Sequence, residues 1–331
     1  MNHRISVAIL LILTVTTAWA QDRAPVIDVH LHIGPGVEGS RYYTPREGET
    51  LDEAKLRTLR EDMDAHNVVL GIAGGPPASV KRYREAMPGR LIGGVMFPCT
   101  DGKDNNLIPC FDDGGDWPDI EDLERWVQEG RIGALGELLN VYAGISPTDP
   151  RMMPYYALAE DHDLIVLAHA DSGPPPRARV EGCCPNFDGR FGDPALFEPV
   201  LERHPDLRII LYHVFRPEFV ESTIELLHTY PNVMVDVSPM AAPMPEPWVP
   251  QALERLVDAG HGDRILFGSD YLGTIGESLA MLESTALSEE QKRAILYDNA
   301  ARFLRLDEDQ IARHHRMVGG DAAQRDARGS P

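Results

Sequence analysis

Val26-Ile27-Asp28-Val29-His30-Leu31-His32-Ile33 is an apolar, β-branched run whose end carries two histidines on alternate positions. Side chains on a strand alternate faces, so His30 and His32 project together from one side of the strand end. An open doubly wound sheet usually places a Gly-rich phosphate loop after its first strand, and here His-Leu-His stands in that place. Further strand-like runs follow at Val68–Ala73, Leu91–Phe97, Gly133–Leu139, Leu164–Ala170, Leu207–Val214, Val233–Val237 and Ile265–Asp270. Between them lie helical patterns such as Leu51–His66, Ile120–Gln128, Pro154–Asp161, Ala195–His204, Glu218–Tyr230 and Pro250–Ala259. A strand-then-helix unit repeated about eight times predicts an α/β fold, a single-domain (β/α)8 TIM barrel.

Long polar insertions around Pro35–Thr50, Pro98–Pro118, Asp171–Gly192 and Pro239–Pro247 follow the first, third, fifth and seventh strands. All are on the strand C-terminal side, where barrels build their sites. The 331 residues, 43% hydrophobic and 25% charged, suit one domain with a large core. Residues 1–20 read as a signal peptide: Arg4, the apolar stretch Ile5–Ala18, then Ala18-Trp19-Ala20 as a cleavage site. An uncleaved anchor is the alternative, but the stretch is short for a bilayer span. Export to the periplasm or beyond is therefore expected, with residues 21–305 forming the barrel and 306–331 a polar, partly disordered tail.

The net charge is −21, and −22 once Arg4 leaves with the first 20 residues. So acidic a protein repels phosphate backbones and anionic bilayers. The expected partner is a small-molecule substrate, with no nucleic acid and no membrane, and a homo-oligomer stays possible. Cys99, Cys110, Cys183 and Cys184 are an even set that an exported protein can pair as disulfides. Three pairings are open, Cys99–Cys110 among them.

Acids and imidazoles recur at later strand ends. Glu137 closes Ala134-Leu135-Gly136-Glu137, His169 closes Val166-Leu167-Ala168-His169, His213 closes Leu211-Tyr212-His213, and Asp270 closes Phe267-Gly268-Ser269-Asp270. Each shares the parity of an apolar residue expected inside the barrel, respectively Leu135, Leu167, Leu211 and Leu266. A polar group facing that interior is expensive unless it is paired or bound to a metal. His66, His162, His204, His228 and His261 instead fall near helix ends, where free carbonyls accept their N–H groups. Only His30, His32, His169 and His213 stand at strand ends.

With these motifs the chain resembles the amidohydrolase superfamily, most of all the branch of aminocarboxymuconate-semialdehyde decarboxylase and related proteins. The likeness rests on Asp28-Val29-His30-Leu31-His32, His169, His213, Gly268-Ser269-Asp270 and the closing segment Ile295-Leu296-Tyr297-Asp298-Asn299-Ala300-Ala301-Arg302-Phe303. The resemblance implies that His30, His32, His169 and Asp270 hold a first divalent metal. It also implies that Asp270 handles the proton of the attacking water, and that His213 holds a second metal or polarises the substrate carbonyl. Glu137 departs from the decarboxylating members, which generally use one metal and no strand-four ligand. Related hydrolases place a bridging carboxylated lysine or glutamate there, and deoxyribonucleases of the TatD type carry a similar Gly-Glu, although the acidic charge argues against DNA. Otherwise Glu137 hydrogen-bonds a ligand histidine.

The expected function is metal-dependent hydrolysis of an ester, lactone or amide, with zinc, manganese or iron lowering the pKa of water toward about 7. Zinc suits the histidine-rich site. A mononuclear-metal non-oxidative decarboxylase is the alternative. An exported, non-catalytic metal-binding protein is a further one, though it predicts a lost ligand or base and none is missing. Arg216 is the foremost candidate among Arg177, Arg179, Arg190 and Arg216 for meeting a substrate carboxylate or phosphate. Tyr271, with Tyr42, Tyr43 and Tyr142, is a candidate lining residue.

Overall fold

A computed structural model describes residues 24–36, 38–40, 42–98, 117–173, 186–236, 238, 248–270 and 273–326, with side chains as far as residue 318. The expected signal peptide, the four cysteines, Arg177, Arg179 and Tyr271 lie outside these residues.

Eight parallel strands pair in chain order: β1 (Val26–His32), β2 (Val68–Gly75), β3 (Leu91–Phe97), β4 (Ala134–Leu138), β5 (Ile165–His169), β6 (Arg208–Tyr212), β7 (Val233–Asp236) and β8 (Ile265–Leu266). One helix follows each strand in turn: α1 (Leu51–Ala65), α2 (Pro77–Ala86), α3 (Ile120–Gln128), α4 (Met153–Asp161), α5 (Glu198–Arg203), α6 (Pro217–Thr229), α7 (Trp248–Asp258) and α8 (Ile275–Glu283). Val29 N–H donates to Phe267 O at 3.0 Å, joining the last strand to the first. The TIM barrel expected from the strand-helix alternation is present. Among the described residues no helix is long and apolar enough to cross a membrane.

Both faces of such strands are covered, which is why they read as nearly continuous apolar runs. The outward side chains, among them Val95, Leu135, Val166, Ile209 and Leu211, pack against Leu59, Met63, Val80, Leu123, Leu253 and Leu256 of the helices. Ile72, Ala134, Leu167, Ile210, Tyr212 and Leu266 fill the barrel itself, with Tyr297, Ala300 and Ala301 in the same cluster. Local sequence sets the helix starts, as at α1. There Thr50 accepts from Glu53 N and the Glu53 carboxylate accepts from Thr50 N, a reciprocal cap.

Two expectations need correction. The last strand was expected to run from Ile265 to Asp270, but its ladder ends at Leu266, ahead of the left-handed Asp270 (φ 51°). The segment 306–331 was expected to be a polar tail. Instead, after α9 (Glu289–Arg293) and α10 (Asn299–Phe303), helix α11 spans Glu308–Asp326. Ile311 and Val318 pack against the barrel-filling cluster, and buried His314 hydrogen-bonds Tyr297 Oη at 3.0 Å. Ile311, His314 and Val318 keep the i, i+3, i+7 spacing of one helix face, but one of the three is a histidine and the stretch around them is mostly charged or small.

Candidate metal centre

The groups predicted from the strand ends converge. His30 Nε2 and His32 Nε2 face each other at 3.2 Å, and Asp270 Oδ1 lies 2.8 Å from His32 Nε2 and 3.4 Å from His30 Nε2. Glu137 stands in the middle with its oxygens divided. Oε2 faces His32 Nε2 at 3.4 Å and His30 Nε2 at 3.7 Å. Oε1 faces His169 Nδ1 at 2.6 Å and His213 Nε2 at 3.2 Å. The resemblance grouped His169 with His30, His32 and Asp270. In the structure the donor triads within mutual reach are His30, His32 and Glu137; His30, His213 and Asp270; and Glu137, His169 and His213.

Simple parity explains His169, since Leu167 does fill the barrel. It does not explain Glu137 or His213, because Leu135 and Leu211 belong to the layer under the helices. A register shift between Leu135 and Leu138 turns Glu137 inward. Gly136 (φ 128°) makes that possible, for a Cβ there would lie 2.3 Å from Leu167 O. His213 reaches the same space through left-handed backbone, φ 67°. Asp270 is left-handed too, and non-glycine residues held there cluster at functional sites.

Three buried groups that the sequence reading did not single out position this cluster. Asp236 Oδ2 accepts from His30 Nδ1 at 3.0 Å, and its Oδ1 accepts from the backbone N–H groups of His213 at 2.9 Å and Ser238 at 3.1 Å. Ser238 Oγ lies 2.8 Å from His30 Nδ1, and Ser238 O accepts from His213 Nδ1 at 2.8 Å. With the Nδ1 protons so engaged, both Nε2 lone pairs point at the centre. Asp28 Oδ1 accepts from His30 N at 3.0 Å and Ser269 N at 3.1 Å, tying the first and last strands together. Asp236 closes Val233-Met234-Val235-Asp236 as His169 closes β5, and that pattern was the available signal.

Charge and burial oppose each other throughout. Burial would raise the Asp270 carboxyl, but His30, His32 and His213 outweigh it and hold it well below the usual range. Burial would likewise raise Glu137, yet hydrogen bonds with His169, His213 and His30 keep it well below. Burial depresses His213, while Glu137 and Asp270 bring it up to about 9. Burial also depresses His30, and Asp236 and Asp270 lift it well above the usual imidazole value. Asp28 is different: burial dominates and raises it to about 7.

These side chains fit a divalent cation. Two carboxylates, Glu137 and Asp270, and four imidazoles share one largely buried space, and the carboxylates draw positive charge. Imidazole nitrogens facing each other at 3.2 Å have the spacing of two ligands on one ion, about 3.3 Å at tetrahedral angles with bonds of ~2.0–2.1 Å. His169 Nδ1 and His213 Nε2 both face Glu137 Oε1, at 2.6 and 3.2 Å, a donor set of two imidazoles and a carboxylate that suits the same kind of ion. Arg216, expected to meet substrate, is paired with Asp171 through Nε at 2.5 Å and Nη2 at 3.2 Å.

The family model for amidohydrolases matches residues 27–306. The chain belongs to the amidohydrolase family. That match ends where the barrel gives way to α11. This amidohydrolase shares its fold with an uncharacterised TIM-barrel protein of Bordetella bronchiseptica, at 19% identity and a TM-score of 0.59 over 87% of this chain and 99% of that one. A probable 2-pyrone-4,6-dicarboxylic acid hydrolase of Acinetobacter baumannii, solved with citric acid bound, is 16% identical at 0.58, covering 85% and 99%. The 5-carboxyvanillate decarboxylase of Novosphingobium aromaticivorans, solved with manganese, is 13% identical at 0.56, covering 86% and 97%. No curated protein sequence matches the amidohydrolase described here.

Proposed function

We propose that this amidohydrolase is an exported, metal-dependent hydrolase of a small carbonyl substrate, an ester, lactone or amide. The observation that carries the reading is the division of Glu137, one oxygen toward His30 and His32 and the other toward His169 and His213. One carboxylate between two imidazole pairs suits two ions. His30, His32 and Asp270 would hold the first, His169 and His213 the second, and Glu137 would be shared. Zinc suits such nitrogen donors, and manganese or iron binds the same groups.

A bound divalent ion supplies a Lewis acid that lowers the pKa of water from 15.7 toward about 7. Asp270, kept ionised by the surrounding imidazoles, accepts the proton of the attacking water and passes it to the leaving group. Asp236 and Ser238 hold the His30 ring in the tautomer that leaves Nε2 open.

Decarboxylation, the activity named for the Novosphingobium neighbour, is the competing reading. Elemental analysis of the purified chain, with ester, lactone, amide and aromatic carboxylate substrates followed for acid and for carbon dioxide, separates the two. Near two ions per chain with acid release is expected. Near one ion with carbon dioxide release would replace hydrolysis by decarboxylation, and no bound metal with no turnover would remove both.

A further inference from the structure

We propose that Tyr142 is a catalytic residue whose phenol donates a hydrogen bond to the carbonyl oxygen of the substrate. The inference rests on the hydrolytic reading for the reaction, but the donor role has a separate test.

Tyr142 lies five residues after Glu137, in the loop that follows β4. Its N–H donates to Leu139 O at 3.0 Å, and Asp188 N–H donates to neighbouring Val141 O at 3.1 Å, stitching the loop after β5 onto it. The ring packs edge-on against His169, with centroids 4.9 Å apart, and against Phe187 at 5.6 Å. The phenol is therefore held by a turn and two rings beside a group of the proposed metal site.

Yet its hydroxyl has no hydrogen-bond partner among the described residues, although Tyr142 is only 9% exposed. Four of the five other buried tyrosines differ. Tyr83, Tyr155 and Tyr212 donate to backbone carbonyls, and Tyr297 pairs with His314. Tyr156 Oη is also unpaired, but it is sealed in the core, whereas Tyr142 Oη keeps some open surface. A buried phenol normally finds a partner, and this one is left for something that enters. The ring sits at the C-terminal ends of β4 and β5, at the barrel mouth beside His169.

A census of donors gives it a task. Ionised carboxylates only accept, and the Nδ1 atoms of His30 and His213 are engaged by Asp236 and Ser238. A substrate oxygen gaining negative charge needs a fixed donor, and removing one such donor typically lowers kcat by about 10²–10³.

The test is Tyr142→Phe in the metal-loaded full chain, which keeps the ring against His169 and Phe187. With p-nitrophenyl acetate, kcat should fall about 100-fold with KM little changed. Calorimetric binding of methylphosphonate, a tetrahedral oxyanion, should weaken at least about tenfold, with metal content and melting temperature unchanged. Turnover and binding both within about threefold of the parent would overturn the proposal, as would a parent protein that neither turns over the ester nor binds methylphosphonate. If the parent binds methylphosphonate without hydrolysing the ester, the hydrolytic reading fails and the binding comparison alone decides the role of Tyr142.

Discussion

Asp236→Asn exchanges one oxygen for an NH2 group at constant volume, and its effect on metal binding follows from four contacts. Oδ1 of Asp236 accepts from the backbone N–H groups of His213 and Ser238, so the asparagine keeps its own oxygen there. Its Nδ2 then replaces Oδ2, 3.0 Å from His30 Nδ1. Two N–H donors would face each other, and His30 relieves this by moving its proton to Nε2, the nitrogen aimed at His32 and Asp270. A protonated Nε2 offers no lone pair to a metal. Groups that orient a ligand imidazole typically contribute about 10–100-fold in metal affinity. Ser238 Oγ, 2.8 Å from the same Nδ1, can still accept its proton, so the single variant should lose about tenfold, or roughly 1.4 kcal/mol. Adding Ser238→Ala should take the loss toward about 100-fold. Competition titration with a chromophoric zinc chelator measures this directly, and the metal-free melting temperature of Asp236→Asn should stay close to that of the parent. Asp236→Ala behaves differently. It strips the acceptor from two buried backbone N–H groups at about 1–3 kcal/mol each and should lower the melting temperature even without metal. Unchanged affinity in both the single and double asparagine variants would refute the assignment of His30 Nε2 as a ligand atom.

Glu137→Gln should lower the metal content from near two ions per chain toward one by elemental analysis, because one oxygen becomes a donor facing imidazole nitrogens; unaltered stoichiometry would argue against a shared carboxylate. Asp270→Asn should keep the fold, since asparagine tolerates the left-handed backbone at this position, and should lose nearly all turnover; activity within tenfold of the parent would remove Asp270 from proton transfer. In the presence of chelator, stability should fall as pH rises. The folded pKa of His213 is raised to about 9, so its contribution is fully present below about 6.5 and is lost as pH passes 9. Asp28, raised to about 7, acts in the same direction between about 4 and 7. Thermal melts of the metal-free chain from pH 6 to 9.5 should descend, and a rising series would contradict the charge assignment.

The amino-acid sequence by itself determined the barrel and which strand-end groups converge in its candidate site. Strand and helix periodicities are local, and a strand end that carries His-Leu-His or Gly-Ser-Asp shows its polar groups without any knowledge of distant partners. His30, His32, Glu137, His169, His213 and Asp270 were legible for that reason. Tertiary structure alone decided how they are grouped. Glu137 and His213 face inward through a register shift and a left-handed residue, both of which break the alternation that a linear reading relies on. Asp236 and Ser238 took their roles only when β7 came beside His30. Gly268 permits that approach, because a Cβ there would lie 2.2 Å from Asp236 Oδ2. Arg216 looked available in sequence and proved to be held by Asp171, 45 residues away along the chain. Periodicity reports which face a residue takes, whereas pairing between distant residues depends on the closed ring of strands that brings them within hydrogen-bonding reach.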